Sequence, residues 1–273
     1  NDFLFLTTGG LAGLREKISE LAELVDRIEV PYILFSNLSH LEEIARLSEI
    51  MPIPLRPPAG IISTGENLDS NLRAYIESIL KTKLFNCYAL AEIGWIATDC
   101  EYRNLHINSE RVYVEILGKD DEPLGLNQEG RIVVTTLHNR SMPFIRYDTG
   151  DVGIISSKLC PCRRTLPVIT FRGREHQKIK LPNKQKIPFI DIQGIFSKYH
   201  ASIEKYRLVQ ESMYSLRVLI KPVIGVRLDT VIQKKLIKDL TDVTGPDISV
   251  NFEIVEEIPA ISTGKSSPFV SLI

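Results

Sequence analysis

Three groups of side chains in this sequence could do chemistry. The first runs from Phe144 to Asp151, where the carboxylates of Asp148 and Asp151 flank Gly150. A carboxylate beside a glycine suits a vicinal diol: it accepts from two neighbouring hydroxyls, and the missing side chain lets backbone approach the ligand. An ordinary solvated loop is the plain alternative. The second group is Cys160 and Cys162, with Cys100 and His106 upstream. Two thiols this close in sequence bridge each other poorly but chelate well, and the other pair would complete a tetrahedral Cys₃His zinc site. Small buried thiols are the competing reading. The third is Lys265, next to Gly264 near the end of the chain, where an exposed tail lysine is the default.

Alternating elements must position these groups. Phe3 to Leu6 reads as a short strand, and Thr7, Thr8, Gly9 and Gly10 as a strand-to-helix turn without the lysine and hydroxyl residue of a phosphate loop. Helices follow at Leu14 to Leu24 and Ser39 to Ile50, with a strand at Tyr32 to Phe35 between them. Pro52, Pro54, Pro57 and Pro58 impose an extended connection. Ala59 to Ser63 is a strand running into Thr64, Gly65 and Glu66, and Asp69 to Leu80 a helix. Strand, glycine turn and helix make a crevice for a ligand, although Glu66 there is equally an acid favouring a helix start. Leu84 to Tyr88 is a further strand, with Cys87 as plain core. Val112 to Leu117 and Gly130 to Leu137 read as strands joined by a polar hairpin, and they deliver Phe144 to Asp151 on a tight turn. The alternation predicts an α/β fold with a partly parallel sheet.

From about Glu175 the chain reads as a small α+β unit. Tyr206 to Val209 pairs with Leu216 to Ile220, Thr230 to Leu240 is an amphipathic helix, and Val250 to Val255 is the final strand. The expected division is residues 1–173 and 174–273.

The order of Ser63 to Glu66, Tyr88 to Glu92, Tyr147 to Asp151, Gly173 with Arg174, and Pro259 to Lys265 resembles the adenylate-forming ligase superfamily. Within it, the chain resembles the phenylacetate-coenzyme A ligase-like branch, which includes capsule-biosynthesis relatives. The resemblance covers the chain from about Gly60 to the end, and more loosely from Thr7. It implies the C-terminal part of a large domain of layered sheets and helices, followed by a small mobile domain.

Site roles follow from the same resemblance. Gly65 and Glu66 would lie along adenine, and Tyr88 would flank it. Glu92 would help hold Mg²⁺ on ATP, with an acid in the first turn of a helix as the alternative. Asp151 would bind both ribose hydroxyls, and Arg174 would contact ribose and phosphate. Lys265 would neutralise charge at the α-phosphate in the transition state. Arg146 would steer an anion or pair with Asp148. Two positions depart from the pattern: Ala89 replaces a glycine, and His176 replaces the pivoting aspartate of the hinge. Relatives in this branch also carry elements like Cys100 to His106 and Cys160 to Cys162, which adds to the zinc reading.

The implied activity is ATP-dependent conversion of a carboxylic acid to acyl-AMP, then transfer to a thiol, coenzyme A in the first instance. A carrier-protein thiol is the alternative acceptor. A non-catalytic nucleotide- or partner-binding remnant is a third reading, because the family's upstream phosphate loop has no counterpart here. The first residue is Asn1, which suggests a fragment or a processed product; an exposed sheet left by a missing upstream half would favour a homo-oligomer.

Composition is compatible with all of this. The 273 residues are 44% hydrophobic and 25% charged, with a net charge of -1, which argues against a broad nucleic-acid footprint. No apolar run reaches the roughly 18 residues of a membrane span and no leader pattern opens the chain, so a cytoplasmic location without membrane contact is expected.

Overall fold

A computed structural model describes residues 4–7, 14–50, 55–259 and 267–273, which form two compact units, Asn1–Phe171 and Arg172–Ile273. Thr8, Gly9 and Gly10, Pro52 and Pro54, and the loop carrying Gly264 and Lys265 lie outside the described residues.

The first unit begins with four parallel strands, β1 (Leu4–Thr7), β2 (Tyr32–Asn37), β3 (Gly60–Thr64) and β4 (Leu84–Leu90). Helices α1 (Leu14–Arg27), α2 (Leu38–Ile50) and α3 (Ser70–Leu80) connect them. The helices form because their apolar residues recur at helical spacing: α2 buries Leu38, Leu41, Ile44, Ala45 and Leu47 against Leu34, Ile61, Ile76 and Leu84. Each such side chain contributes about 1.5–3 kcal/mol on leaving water. Asp69 caps α3 by accepting from the Asn71 and Leu72 N–H groups, and Lys81 ends it in the left-handed conformation.

Beyond β4 the sheet turns antiparallel. It continues through β5 (Gly94–Asp99), β6 (Leu105–Ile107), β7 (Val112–Leu117), β8 (Glu129–Thr136), β9 (Tyr147–Ser156) and β10 (Val168–Arg174), in the order β1-β2-β3-β4-β5-β6-β10-β9-β8-β7. A flat sheet would put β4 and β9, four positions apart, roughly 19 Å from each other. Their side chains nevertheless touch, as described below, so the sheet curls strongly.

In the second unit β11 (Lys178–Lys180) and β12 (Lys186–Pro188) form a hairpin leading into α4 (Phe189–Ser197). A separate sheet follows, from β13 (Ile203–Ser212), β14 (Ser215–Pro222), β15 (Ser249–Ile254) and β16 (Phe269–Ser271), ordered β15-β14-β13-β16, with α5 (Thr230–Thr244) between β14 and β15. Ile192, Phe196, Leu208, Leu216, Val218, Leu236 and Leu240 fill its core.

Several sequence expectations need correction. The strand expected at Leu84 to Tyr88 continues to Leu90, because Ala89 and Leu90 are not turn formers; the turn falls at 91–93, and Gly94 leaves it at φ +88°. Glu92 is therefore on a hairpin rather than in the first turn of a helix. The tight turn expected over Phe144 to Asp151 is confined to a bend at residues 145–146; from Tyr147 the chain is already the first half of β9, and the turn-forming residues there make a bulge. Val133 pairs with Asp148 and Arg131 with Val152, so Thr149, Gly150 and Asp151 together oppose Ile132. Gly150, at φ +71°, supplies the left-handed step. Finally, Val250 to Val255 is not the last strand, since β16 follows it and pairs parallel with β13.

Candidate functional site

The bulge sets the geometry of the first cluster. The Thr149 hydroxyl donates to the Ile132 carbonyl at 2.8 Å and accepts from the Asp151 N–H at 3.1 Å, which turns the Asp151 side chain inward, where it is buried. There the Tyr88 hydroxyl donates to Asp151 Oδ2 at 2.7 Å. The Tyr88 ring packs tilted against Phe171, 5.7 Å between centroids. On the hairpin after β4, Glu92 Oε1 accepts from the Tyr147 hydroxyl at 2.7 Å, and this bond raises the Tyr147 phenol above its ordinary value. Phe144 meets the Tyr147 ring edge-on at 5.0 Å. Two tyrosine–carboxylate pairs thus tie the end of β4 to β9.

At the end of β3, Gly65 has φ +82°, and a Cβ there would stand 3.2 Å from Asn37 Oδ1. Glu66 accepts from the Ser39 hydroxyl at 2.7 Å. The acid therefore bonds within the first turn of α2; Asp69, not Glu66, serves the start of α3. Arg146 does not pair with Asp148. It reaches Glu115 at 3.2 Å, while Asp148 and Asp121 both bind Arg131, because the bulge turns Asp148 towards β8.

The structure thus brings Tyr88, Glu92 and Asp151 together and places Gly65 and Glu66 at the carboxyl end of neighbouring β3. Arg174 ends β10 in the second unit, after Gly173 at φ +93°, and His176 sits in the following turn. Lys265 is outside the described residues. Sequence reading missed Asn37 and Ser39, which sit behind Gly65 and Glu66, and the contacts of Tyr147 and Phe171. Tyr147 was legible as part of the 147–151 motif; for the other three no local signal exists, since their roles depend on parallel pairing and sheet curl.

The second cluster gathers Cys100, His106, Cys160 and Cys162, with all four ligand atoms within 4.8 Å of one another. Cys100 Sγ and Cys160 Sγ are 3.6 Å apart, and Cys162 Sγ is 3.3 Å from His106 Nε2. Bonds of ~2.3 Å in a tetrahedron require sulfur–sulfur edges of about 3.8 Å, so the donor set fits zinc. The surroundings fit as well. Leu166 O lies 2.9 Å from His106 Nδ1, which leaves Nε2 for a metal, and N–H groups of Tyr102 and Asn104 reach the sulfurs of Cys100 and Cys160, each at 3.3 Å. Cys87 differs. Burial, with the Asp99 carboxylate nearby, pushes its thiol up to about 12, and it packs as core in β4.

Comparison with known proteins bears on the fold. The CapK C-terminal domain matches residues 179–271. A phenylacetate-coenzyme A ligase of Thermus thermophilus is 33% identical over 99 residues, 34% of this chain and 22% of that protein. A 2-hydroxyisobutyryl-CoA ligase, solved in its postadenylation state with R3-HIB-AMP, aligns over 97% of this chain and 58% of its own with a TM-score of 0.79 at 18% identity.

The fold is that of the adenylate-forming ligases.

An amide bond synthetase, McbA of Marinactinospora thermotolerans, shares the same ligase fold, with a TM-score of 0.67 at 15% identity over 92% of this chain and 53% of that one. The chain spans about a fifth of the curated relative and a little over half of these solved ligases. No helix among the described residues is long and apolar enough to cross a membrane.

Proposed function

We propose that the protein containing this chain activates a carboxylic acid as its acyl-AMP and passes the acyl group to a thiol, coenzyme A in the first instance. The observation that carries this reading is the 2.7 Å bond between Tyr88 and Asp151, 63 residues apart. The resemblance assigns one to adenine and the other to ribose, and a nucleoside needs both groups at one place.

In the first half-reaction the substrate carboxylate attacks the α-phosphorus of ATP, an acyl–phosphate bond forms and pyrophosphate leaves. Asp151 accepts from the ribose hydroxyls, with the Tyr88 hydroxyl holding one of its oxygens, so the sugar is oriented against a fixed carboxylate. The Tyr88 ring, braced by Phe171, flanks the base beside Gly65 and Glu66. Lys265 neutralises charge that develops on the phosphate and carboxylate oxygens. Glu92, held by Tyr147, supplies a hard oxygen ligand for Mg²⁺, which screens the phosphate charge when bound. In the second half-reaction the thiol sulfur attacks the acyl carbon, AMP leaves, and the thiol proton passes to solvent. Arg174 serves ribose and phosphate from the second unit.

We further propose that Cys100, His106, Cys160 and Cys162 hold a structural zinc ion. All four ligands are protein side chains, which leaves no open position for chemistry.

The test is acid-dependent exchange of labelled pyrophosphate into ATP by the natural gene product, across aliphatic and aromatic acids, with Lys265→Ala alongside. Exchange is expected with at least one acid and should fall about 100- to 1000-fold in the variant. Binding of AMP with no exchange for any acid would leave a nucleotide-binding remnant and sink the ligase reading. Thioester formed with a phosphopantetheinyl carrier protein but not with coenzyme A would move the acceptor.

A further inference from the structure

The second unit contains an arginine whose position calls for a function. Arg207, on β13, is 4% exposed, and no carboxylate pairs with it among the described residues. Removing a guanidinium from water without a counter-charge is costly unless its N–H groups are well used. Burial accordingly lowers its affinity for the proton.

Its N–H groups go to two backbone carbonyls. Nε donates to Ser267 O at 2.9 Å and Nη1 to Pro259 O at 2.5 Å. These residues stand on either side of 260–266, the segment that carries Gly264 and Lys265. The far end has other support, since the Leu208 N–H donates to Pro268 O at 2.9 Å and β16 pairs with β13. Among the described residues the near end is held upstream of Pro259 by Val255 N–H to Ile220 O and by Lys221 Nζ to Glu257 Oε1 at 2.7 Å, four and two residues away, and at Pro259 itself by Arg207. One planar guanidinium is suited to bridging two such carbonyls, because its donors are fixed in a fork; a lysine ammonium offers a point charge instead.

We propose that Arg207 is a positioning residue: by tying Pro259 to Ser267 it fixes the root from which Lys265 works. This rests on the adenylate-forming reading for its catalytic consequence, but not for the clamp itself. Arg207 touches no reacting atom, and its effect is confined to the half-reaction that Lys265 serves.

Two arms test it on the natural gene product, with Arg207→Met, Arg207→Lys and Lys265→Ala. The first arm needs no activity: trypsin cleavage after Lys265 is followed by mass spectrometry. Arg207→Met should speed that cleavage about tenfold, as local opening becomes easier, while cleavage within residues 55–171 keeps its wild-type rate. The second arm separates the half-reactions. Pyrophosphate exchange should fall about tenfold or more in both Arg207 variants. Thioester formation from supplied acyl-AMP should be unchanged.

Unchanged cleavage after Lys265 overturns the clamp. Equal loss in both half-reactions overturns the positioning role in favour of general damage. Full activity in Arg207→Lys shows that charge, not the fork, matters, and overturns it too. If wild-type protein shows no exchange, the ligase reading fails and the cleavage arm alone decides the clamp.

Discussion

The two polar clusters of the first unit are built on opposite principles. The Cys100, His106, Cys160 and Cys162 group is closed: its four ligand atoms face one another, and the nearby N–H and carbonyl groups serve those ligands. In the Tyr88, Asp151, Tyr147 and Glu92 group the hydrogen bonds include Tyr88 to Asp151 and Tyr147 to Glu92, set among packed aromatic rings. Geometry that converges on a single point suits an ion that never leaves. Paired bonds that can be exchanged one at a time suit a ligand that comes and goes. The difference teaches that burial alone does not distinguish a convergent cluster from a paired one, since Cys100 and Asp151 are both almost fully buried.

The largest expected effect would break the comparison at the closed cluster. Stripping metal with a strong chelator, or Cys160→Ser, should cost on the order of 4 kcal/mol or more, read as the fall in denaturant midpoint of the first transition. After chelation, alkylation at pH 8 should reach Cys100, Cys160 and Cys162 but spare Cys87, whose raised thiol keeps it protonated in folded protein. Metal analysis giving less than about half an equivalent of zinc per chain would remove this side of the comparison, whatever the stability result.

At the exchangeable cluster, Asp151→Ala should weaken AMP binding about 100-fold, because two charge-assisted hydrogen bonds of ~1.5 kcal/mol each are lost. Calorimetric titration measures this directly, and a variant that binds AMP like wild type would take the ribose role from Asp151. Tyr88→Phe sharpens the point. It removes one bond to Asp151 and should cost about 1 kcal/mol in stability while leaving zinc content unchanged. Loss of zinc from that variant would mean the two clusters are one cooperative piece.

The smallest effect concerns Tyr147. Its phenol is raised by the bond to Glu92, so the neutral form is the one favoured in the folded state. The contribution is fully present below the unfolded value near 10 and is lost as pH rises through the higher folded value. Spectroscopic titration of the phenol should therefore shift downward in Glu92→Ala. An unmoved titration would show that the Tyr147–Glu92 bond is absent in solution.

Much of this was readable from residue order, and the parts that were not share a cause. Parallel β1 to β4 with their helices follow from period-3.6 and apolar runs, and the cysteine cluster from spacing and ligand chemistry. The second half of the tight turn expected over Phe144 to Asp151 was misread because a bulge uses the same turn-forming residues as a loop, and only the partner strand reveals which is present. Of the two roles open to Arg146, pairing with Asp148 rested on proximity in sequence, whereas the structure delivers Glu115. β16 was missed because three residues carry no period, and their place is set by pairing with β13.

The overlap of the two clusters along the chain bears on the order in which it folds. Tyr88 and Asp151 are 63 residues apart, and Cys100 and Cys160, 60 residues apart, lie one inside and one just outside that span. Once the cysteine cluster has closed, the path from Tyr88 to Asp151 shortens to the twelve residues from Tyr88 to Cys100 and the nine from Asp151 to Cys160. Loop-closure entropy grows as (3/2)RT ln n, so this threefold shortening removes about 1 kcal/mol from the cost of bringing the tyrosine to its carboxylate. A cysteine–histidine cluster that closed early would thus act as a kinetic guide, and the Tyr88–Asp151 pair would assemble late, from a chain already half confined.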